Sequence, residues 1–186
     1  MSAAISQFIE TVRRNQRKGM AVAEIGVWGG NSAVEWMPIV EANGGSGILV
    51  DYFHGNPTAS GPEAFSESRR DDIYCELQAR MRPFSNVRIL EGDSAEMAAL
   101  VKDKTLDVCF IDADHRYSKV SLDIAAWLPK IRPGGIIGGH DFDDFSYEES
   151  KCEMDADAGV HHGVAKAVLS MGIPFTAAHR CWWTVV

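Results

Sequence analysis

Short apolar segments alternate with segments of helical periodicity, and this alternation constrains the fold more than any other feature of the sequence. The first apolar segment, 21–27, ends in a glycine-rich turn, and a second, 47–51, follows one predicted helix later. A strand, a helix and a strand in such a short span form a βαβ unit, which requires a parallel sheet. Apolar segments at 87–91 and 106–111 continue the pattern. The sequence therefore predicts a doubly wound α/β sheet.

The remaining segments complete one domain over residues 1–186, a length that suits a single core. The N-terminal segment 1–19 is predicted to be an amphipathic helix, and Asn31 or Ser32 is predicted to cap the second helix. An acidic segment at 141–158 is predicted to be an irregular loop. Further helices are predicted at 63–81, 96–102, 117–128 and 160–171, a turn at 132–135, strands at 136–137, 174–176 and 181–186, and a hairpin turn at 179–180.

Charge and cysteine content narrow the partners. The formal net charge of -8 disfavours nucleic acids and anionic membranes as ligands, because both repel an acidic surface. The sequence lacks both an apolar run long enough to cross a bilayer and an N-terminal leader pattern. Its four cysteines form no CxxC pair, which is typical of reduced thiols. We therefore expect a cytoplasmic protein that acts on a small molecule.

The ends of the predicted strands carry the candidate site, because parallel sheets bind ligands at the carboxyl ends of their strands. After the first strand, Gly26, Gly29 and Gly30 allow a tight turn and a close backbone approach to a ligand. Trp28 stands where the dinucleotide fingerprint needs its second glycine, which disfavours a pyrophosphate cofactor. Asp51, at the end of the second strand, suits hydrogen bonds to ribose hydroxyls.

The next strand ends bring further polar residues to the same edge. Asp93 and Ser94 follow the third strand and could contact an adenine edge. Asp112 follows the fourth, and His140 and Asp141 follow the fifth; two carboxylates and one imidazole suit Mg²⁺ or another divalent cation. Three residues beyond Asp112, His115 could act as a general base because its ordinary pKa lies near neutrality.

Two aromatic pairs near the C-terminus are interpreted as structural. His161–His162 opens a predicted helix, and these side chains are expected to cap it or to face solvent. Trp182–Trp183 places one indole on each face of the last strand. Neither pair is expected to belong to the site.

These motifs together resemble those of class I S-adenosylmethionine (SAM)-dependent methyltransferases. The likeness is to the small-molecule O-methyltransferase branch, which includes catechol, caffeoyl-CoA and macrolide-sugar enzymes. It runs from about residue 21 to the C-terminus through five motifs in family order, at 24–30, 51, 91–94, 110–115 and 128–141. The resemblance implies a Rossmann-like sheet of seven strands in the order 3-2-1-4-5-7-6, with the last strand antiparallel. It also implies a possible homodimer formed through the N-terminal helix.

The resemblance further implies roles for individual residues. In the metal-dependent branch, the positions of Asp112, His140 and Asp141 hold a cation that chelates the substrate hydroxyls, and His115 occupies the position of a lysine base. Catechol-type enzymes have Asp-Asn where this chain has His140–Asp141, and the family's glycine signature is broken at Trp28. The residues implied to bind SAM are Glu24, Gly26, Trp28, Gly29 and Gly30 at the methionine part, Asp51 at the ribose, Asp93 and Ser94 at the adenine, and Asp112.

The predicted function is transfer of a methyl group from SAM to a hydroxyl of a small molecule, with Asp112 and His115 as catalytic residues and assistance from a divalent cation. One alternative is a metal-dependent glycosyltransferase, because Asp112-Ala113-Asp114 matches the D-x-D pattern that binds a nucleotide-sugar diphosphate through a metal. A second alternative is a SAM-binding module without catalytic activity.

Overall fold

Strands and helices alternate along the chain as the sequence predicts. The computed structural model describes residues 3–53, 67–143, 151–153 and 160–186. In this part of the chain the helices are α1 (Ala3–Arg14), α2 (Ala33–Ala42), α3 (Glu67–Met81), α4 (Ser94–Ala98), α5 (Tyr117–Trp127) and α6 (His162–Ser170), with a 3-10 helix at Leu128–Lys130. The strands are β1 (Ala21–Ile25), β2 (Ser46–Asp51), β3 (Val87–Glu91), β4 (Leu106–Ile111), β5 (Ile131–Gly139), β6 (Thr176–Ala178) and β7 (Cys181–Val185).

One sheet contains these seven strands in the order β3-β2-β1-β4-β5-β7-β6. Strands β1 to β5 pair in parallel, whereas β7 runs antiparallel to both β5 and β6. The chain reverses between β6 and β7 at His179 and Arg180, whose φ angles are 53° and 61°. The predicted sheet order and the antiparallel last strand are confirmed.

Helix α1 covers one face of the sheet, together with α2 and α3. Phe8 and Val12 of α1 are fully buried, and the ring of Phe8 stacks on Phe110 of β4 with 4.4 Å between ring centroids. Trp36 of α2 is also fully buried and packs against Phe8 at 5.9 Å. The apolar side of α1 is therefore used within the chain's own core, where burial of each large side chain contributes about 1.5–3 kcal/mol.

The opposite face of the sheet is covered by α4, α5 and α6. Trp127 and Val168 are fully buried there against strand residues such as Ile25 and Ile137. Strand β4, buried along its whole length, lies at the centre of the sheet and contacts both layers. A strand buried on both faces needs a continuous apolar run, which is why 106–111 was predicted with its observed bounds.

Strand β5 begins earlier than predicted. The predicted turn at 132–135 is wrong, because these residues belong to β5 as an irregular stretch where the pairing with β4 shifts register. The amide of Gly134 donates to the carbonyl of Val186 at 2.6 Å, and the amide of Val186 donates to that of Gly135 at 3.0 Å. Proline and glycine here produce a bulge inside a strand rather than a turn before one.

Smaller differences affect other boundaries. Helix α1 ends at Arg14 instead of 18, and α4 begins at Ser94 instead of 96 because Asp93 caps it. Strand β6 lies at 176–178 instead of 174–176, since Pro174 has no amide hydrogen to donate to a neighbouring strand. Much of the predicted acidic loop at 141–158 and of the segment 54–66 lies outside the described residues. No helix in the described ranges combines the length and the apolar character that crossing a bilayer requires.

Asp107 on β4 joins the N-terminal segment to the sheet. Its side chain is fully buried and accepts hydrogen bonds from Arg17 Nε at 2.5 Å, Arg132 Nε at 2.5 Å and the amide of Ala21 at 2.8 Å. Burial alone raises the pKa of Asp107, but the hydrogen bonds from Arg17, Ala21 and Arg132 lower it below its ordinary value. The ionised carboxylate therefore stabilises the fold.

We expect Asp107→Asn to lower the free energy of unfolding by about 1–3 kcal/mol, measured by urea denaturation. A lowered pKa in the folded state means that this stabilisation is present above the ordinary aspartate range and is lost as the pH falls through the folded-state pKa. The gap between wild type and variant should therefore narrow in acid. Asp103→Asn is the control, because Asp103 pairs with Lys130 at an exposed position and should change stability little. Equal effects of the two substitutions would contradict the role given to Asp107.

Candidate active site

The glycine turn after β1 lies directly against the end of β4. Gly26 has a φ angle of 86°, and a Cβ atom added to it would lie 2.0 Å from the carbonyl oxygen of Asp112. The amide of Asp112 in turn donates to the carbonyl of Ile25 at 2.7 Å. Only glycine permits this approach, which joins the candidate cofactor turn to the first candidate metal ligand.

Trp28 continues this turn in a left-handed backbone conformation, with a φ angle of 50°. A residue other than glycine adopts this conformation at a cost of about 1–2 kcal/mol. Its amide donates to Asp51 Oδ2 at 2.6 Å, and the amide of Phe53 donates to Asp51 Oδ1 at 2.8 Å. The predicted ribose-binding residue therefore ties the turn after β1 to the end of β2. The Trp28 side chain is left 41% exposed above the turn.

Glu24 lies beneath this turn and not on its surface. Its carboxylate is buried and accepts hydrogen bonds from the Ser32 hydroxyl and from Trp36 Nε1. Burial raises the pKa of Glu24 to about 7. Ser32 precedes α2 as predicted but makes no capping bond with its side chain, which is engaged by Glu24 instead. Glu24 thus fixes the start of α2 relative to β1.

The polar residues after β3 form a connected group. Asp93 caps α4 by accepting a hydrogen bond from the amide of Ala95 at 3.1 Å, and Lys119 Nζ lies 3.3 Å from its other oxygen. Ser94 Oγ accepts a hydrogen bond from Trp127 Nε1 at 2.9 Å. The sequence analysis did not single out Lys119 or Trp127, since both lie on α5 and approach this turn only in the folded chain.

Buried Asp123 supports the same turn from α5. Burial raises the pKa of Asp123 to about 7, and a hydrogen bond with Ser94 opposes this shift. Because its ordinary pKa is much lower, the carboxyl is partly protonated near neutral pH and can act as a hydrogen-bond donor. Asp123 was also missed in the sequence, where an acid within a helix is typical of a solvated face.

The ends of β4 and β5 bring Asp112, His140 and Asp141 together. His140 Nδ1 lies 3.5 Å from Asp112 Oδ1 and 3.3 Å from Asp141 Oδ2. The ligand atoms of the three residues all lie within 4.8 Å of one another, which is compatible with a shared cation. Burial lowers the pKa of His140, but hydrogen bonds to Asp112 and Asp141 outweigh it and raise the pKa to about 9.

Asp141 also contacts two histidines from other parts of the chain. His115 Nε2 lies 3.1 Å from Asp141 Oδ2, and His161 Nε2 lies 3.5 Å from Asp141 Oδ1. The two imidazole rings meet edge to face with 4.1 Å between centroids. Burial raises the pKa of Asp141, but hydrogen bonds from His115 and His140 hold it well below its usual range.

The prediction that His161 caps a helix or faces solvent is wrong. Its side chain makes no capping bond and is only 16% exposed beside Asp141. The physical reason is the close packing of Gly163, where an added Cβ would lie 2.2 Å from the carbonyl oxygen of His115. A glycine directly after two histidines was the available signal, but by itself it does not reveal which segment it contacts.

Arg180 and Asp143 complete this cluster. A terminal nitrogen of Arg180 lies 2.9 Å from Asp141 Oδ1, and its Nε lies 2.8 Å from Asp143 Oδ1. Asp143 Oδ2 accepts a hydrogen bond from the amide of His161 at 2.6 Å. The sequence analysis assigned Arg180 only to a hairpin turn, because nothing in the local pattern indicates that the turn reaches the end of β5.

The two acids of the D-x-D pattern have different partners. Asp114 Oδ2 lies 2.5 Å from a terminal nitrogen of Arg116, and its Oδ1 accepts a hydrogen bond from the Arg116 amide at 2.9 Å. Asp112 instead faces His140. Within the described residues Asp114 belongs to neither group of potential metal ligands. This arrangement does not favour joint binding of one metal ion by Asp112 and Asp114.

Comparisons with known proteins agree with this geometry. The sequence matches a family model described as a methyltransferase domain over residues 23–142. A search of curated proteins finds no match. Similar solved structures include the O-methyltransferase NovP, with 21% identity and a TM-score of 0.63, covering 96% of this chain and 76% of that one. An O-methyltransferase from Bacillus cereus in complex with SAH has 18% identity and a TM-score of 0.62, covering 97% and 80%. An rRNA methylase from Streptococcus thermophilus has 10% identity and a TM-score of 0.62, covering 98% and 95%.

The sheet order and the glycine turn at its central crossover define a class I SAM-dependent methyltransferase fold. The chain belongs to the methyltransferase domain family, whose model matches well over half of its length. The family, the fold and the methyltransferase activity predicted from the sequence are therefore confirmed.

We expect Gly26→Ala to destabilise the protein far more than Gly44→Ala. Both glycines have a positive φ angle, but a Cβ at Gly44 meets nothing within 4 Å, whereas one at Gly26 meets the backbone of Asp112. Gly44→Ala should cost about 1–2 kcal/mol from backbone strain alone, and Gly26→Ala a further 1–3 kcal/mol from overlap. Chemical denaturation of both variants measures the difference. If their losses were equal, the close approach of Gly26 to Asp112 would not constrain the fold.

Proposed function

We propose that this protein transfers the methyl group of SAM to a hydroxyl of a small molecule with the help of a divalent cation. The observation that carries the proposal is the position of Asp112. Its backbone lies against the Gly26 turn, and its side chain faces His140 and Asp141. A group bound at the turn after β1 and an acceptor held at the ends of β4 and β5 would therefore be neighbours, as an in-line methyl transfer requires.

The proposed cofactor site follows the carboxyl ends of β1, β2 and β3. Backbone groups of Gly26, Trp28, Gly29 and Gly30, supported by Glu24 from below, would contact the methionine part of SAM. The remaining proposed contacts are Asp51 at the ribose, Asp93 and Ser94 at the adenine, and Asp112 near the sulfonium. Carboxylates on this edge suit a cofactor with a positively charged sulfur. The relative in complex with SAH has the same fold.

The proposed cation ligands are Asp112, His140 and Asp141. Two carboxylates and one imidazole match the donors that Mg²⁺ and Mn²⁺ accept, and their spacing brings them within reach of one ion. A cation bound there would lower the pKa of an acceptor hydroxyl. Asp112 and Asp141 would also orient the ring of His140 through the contacts at its Nδ1 atom.

His115 is the proposed general base. The Nε2–H group of His115 donates to Asp141, which fixes the orientation of the ring and would stabilise the positive charge that the ring gains with a proton. The side chain is 28% exposed, so a proton can pass on to water. Transfer of the acceptor proton to His115 would leave an oxyanion as the nucleophile for the methyl group.

A small acceptor is favoured over a nucleic acid, although one relative is an rRNA methylase. The net charge is -8, and the basic residues near the N-terminus already have acidic partners. Arg13 and Arg14 pair with Glu10, and Arg17 pairs with Asp107. Little positive charge is then left on this segment to bind phosphates.

The expected cellular location and assembly state are also proposals. All four cysteines are free thiols, which supports a reducing compartment such as the cytoplasm. A homodimer would have to use a surface other than the apolar side of α1, because Phe8 and Val12 are buried within the chain. Light scattering on the purified protein tests the assembly state.

We expect SAH to raise the melting temperature of the protein. A ligand at 100 times its dissociation constant stabilises by about 2.7 kcal/mol, which a thermal-shift assay detects readily. Nucleotide sugars should leave the melting temperature unchanged. A shift with nucleotide sugars but not with SAH or SAM would favour the glycosyltransferase alternative. A shift with SAH but no methyl transfer to a panel of catechols and sugars would favour the binding module.

We expect Asp112→Asn to abolish binding of Mn²⁺, measured by electron paramagnetic resonance, while the thermal shift with SAH persists. Loss of a ligating carboxylate should weaken the cation by at least 10–100-fold. The matched control is Asp114→Asn, which removes the other acid of the D-x-D pattern and should leave Mn²⁺ binding unchanged. Equal losses in both variants would support a shared D-x-D site, and unchanged binding in Asp112→Asn would rule out the proposed ligand set.

A further inference from the structure

Asp141 belongs to two groups of potential metal ligands. The first group, with Asp112 and His140, is the proposed magnesium-type site. The second consists of Asp141 with His115 and His161, whose ligand atoms also all lie within 4.8 Å of one another. The donor sets differ: one has two carboxylates and one imidazole, and the other has one carboxylate and two imidazoles. Imidazole-rich sets favour borderline transition metals such as Zn²⁺ and select against Mg²⁺.

The spacing of the second group suits a four-coordinate ion. Zinc binds histidine nitrogen and carboxylate oxygen at about 2.0–2.2 Å, so neighbouring ligand atoms of a tetrahedron lie roughly 3.3 Å apart. The observed separations from Asp141 bracket this value, at 3.1 Å to His115 Nε2 and 3.5 Å to His161 Nε2. Three protein ligands with one open position are also the usual number for an accessible zinc site.

His161 presents only one nitrogen to a ligand. Its Nδ1 atom is buried and has no hydrogen-bond partner in the described part of the chain. Nε2 therefore remains as the nitrogen directed at Asp141. This side chain reaches the cluster because α6 begins against the segment that carries His115, where Gly163 permits close packing. No step of the proposed methyl transfer uses His161.

Arg180 is the competing partner of Asp141, since its guanidinium contacts Oδ1 at 2.9 Å. The same guanidinium also contacts both oxygens of Asp143, at 2.8 Å and 3.3 Å. Arg180 therefore keeps a carboxylate partner when Oδ1 turns to a metal ion, and no buried charge is left unpaired.

We propose that His115, Asp141 and His161 form a binding site for a borderline transition-metal ion such as Zn²⁺, separate from the ligand set of Asp112 and His140. The metal commits the Nε2 lone pair of His115 and the carboxylate of Asp141. If the proposed function holds, zinc at this site inhibits methyl transfer, because His115 can no longer be oriented as the base.

The test measures metal binding directly and does not depend on methyl transfer. Full-length protein without an affinity tag is titrated with Zn²⁺ by calorimetry in saturating Mg²⁺, which occupies the oxygen-rich group. We expect one zinc ion per chain, and Co²⁺ in its place should give the visible absorption of a four-coordinate ion. His161→Ala should weaken zinc by at least about 100-fold, as loss of a ligand exceeds the 10–100-fold effect of an outer-shell partner.

The neighbouring histidine provides the matched control. His162→Ala removes an imidazole from the same helix start but not from the ligand set, so zinc affinity should stay within a few-fold of wild type. His161→Gln serves as a second variant, and the thermal shift with SAH verifies that each variant is folded. With an acceptor in hand, zinc should inhibit the wild type and spare His161→Ala.

Three results would overturn the proposal. One is that wild type retains no zinc in excess Mg²⁺. Another is equal zinc affinity in wild type and in both His161 variants. The third is a zinc loss in His162→Ala as large as in His161→Ala. A failure to find methyl transfer, in contrast, would count against the proposed function and leave the zinc measurement valid.

Discussion

The close approach between Gly26 and the backbone of Asp112 is the constraint on which the rest of the site depends. It brings the turn after β1 into contact with the end of β4, and the amide of Asp112 closes the junction on the carbonyl of Ile25. A side chain at Gly26 would separate the two strand ends. The cofactor turn and the proposed cation ligands would then no longer share an edge, and the proximity on which methyl transfer relies would be lost.

Around Asp141 the acid excess of the chain takes a different form. A chain with a net charge of -8 could be expected to surround its site with unbalanced carboxylates. Instead, Asp141 faces His115, His140, His161 and Arg180, and Asp143 shares the last of these. A buried carboxylate keeps its charge only where such partners compensate the loss of hydration. The local electrostatics are therefore close to balanced, and ligand choice depends on which donors face an ion.

Local signals predicted the central strands well and the long-range contacts poorly. Strands β3 and β4 have the bounds that their apolar runs indicate, and the family motifs supplied the sheet order, which periodicity alone does not determine. The bulge in β5 was mistaken for a turn because Pro133 and two glycines dominate its local chemistry. His161 was missed because its partners precede it by 20 residues or more in the sequence and meet it only after α6 has packed against the sheet.

Backbone strain in this fold concentrates at the candidate site. Of the six described non-glycine residues with a positive φ angle, Trp28, Asp141 and Arg180 belong to the site and Phe53 adjoins Asp51. Each such residue costs about 1–2 kcal/mol and persists only where its surroundings hold it. For Asp141 the holding contacts are backbone bonds on either side, from His140 to Ile111 at 3.0 Å and from Phe142 to Arg180 at 3.0 Å. Because β5 ends in this conformation, the side chains of His140 and Asp141 both reach the same cluster, which a regular strand, with its side chains alternating between faces, would not allow.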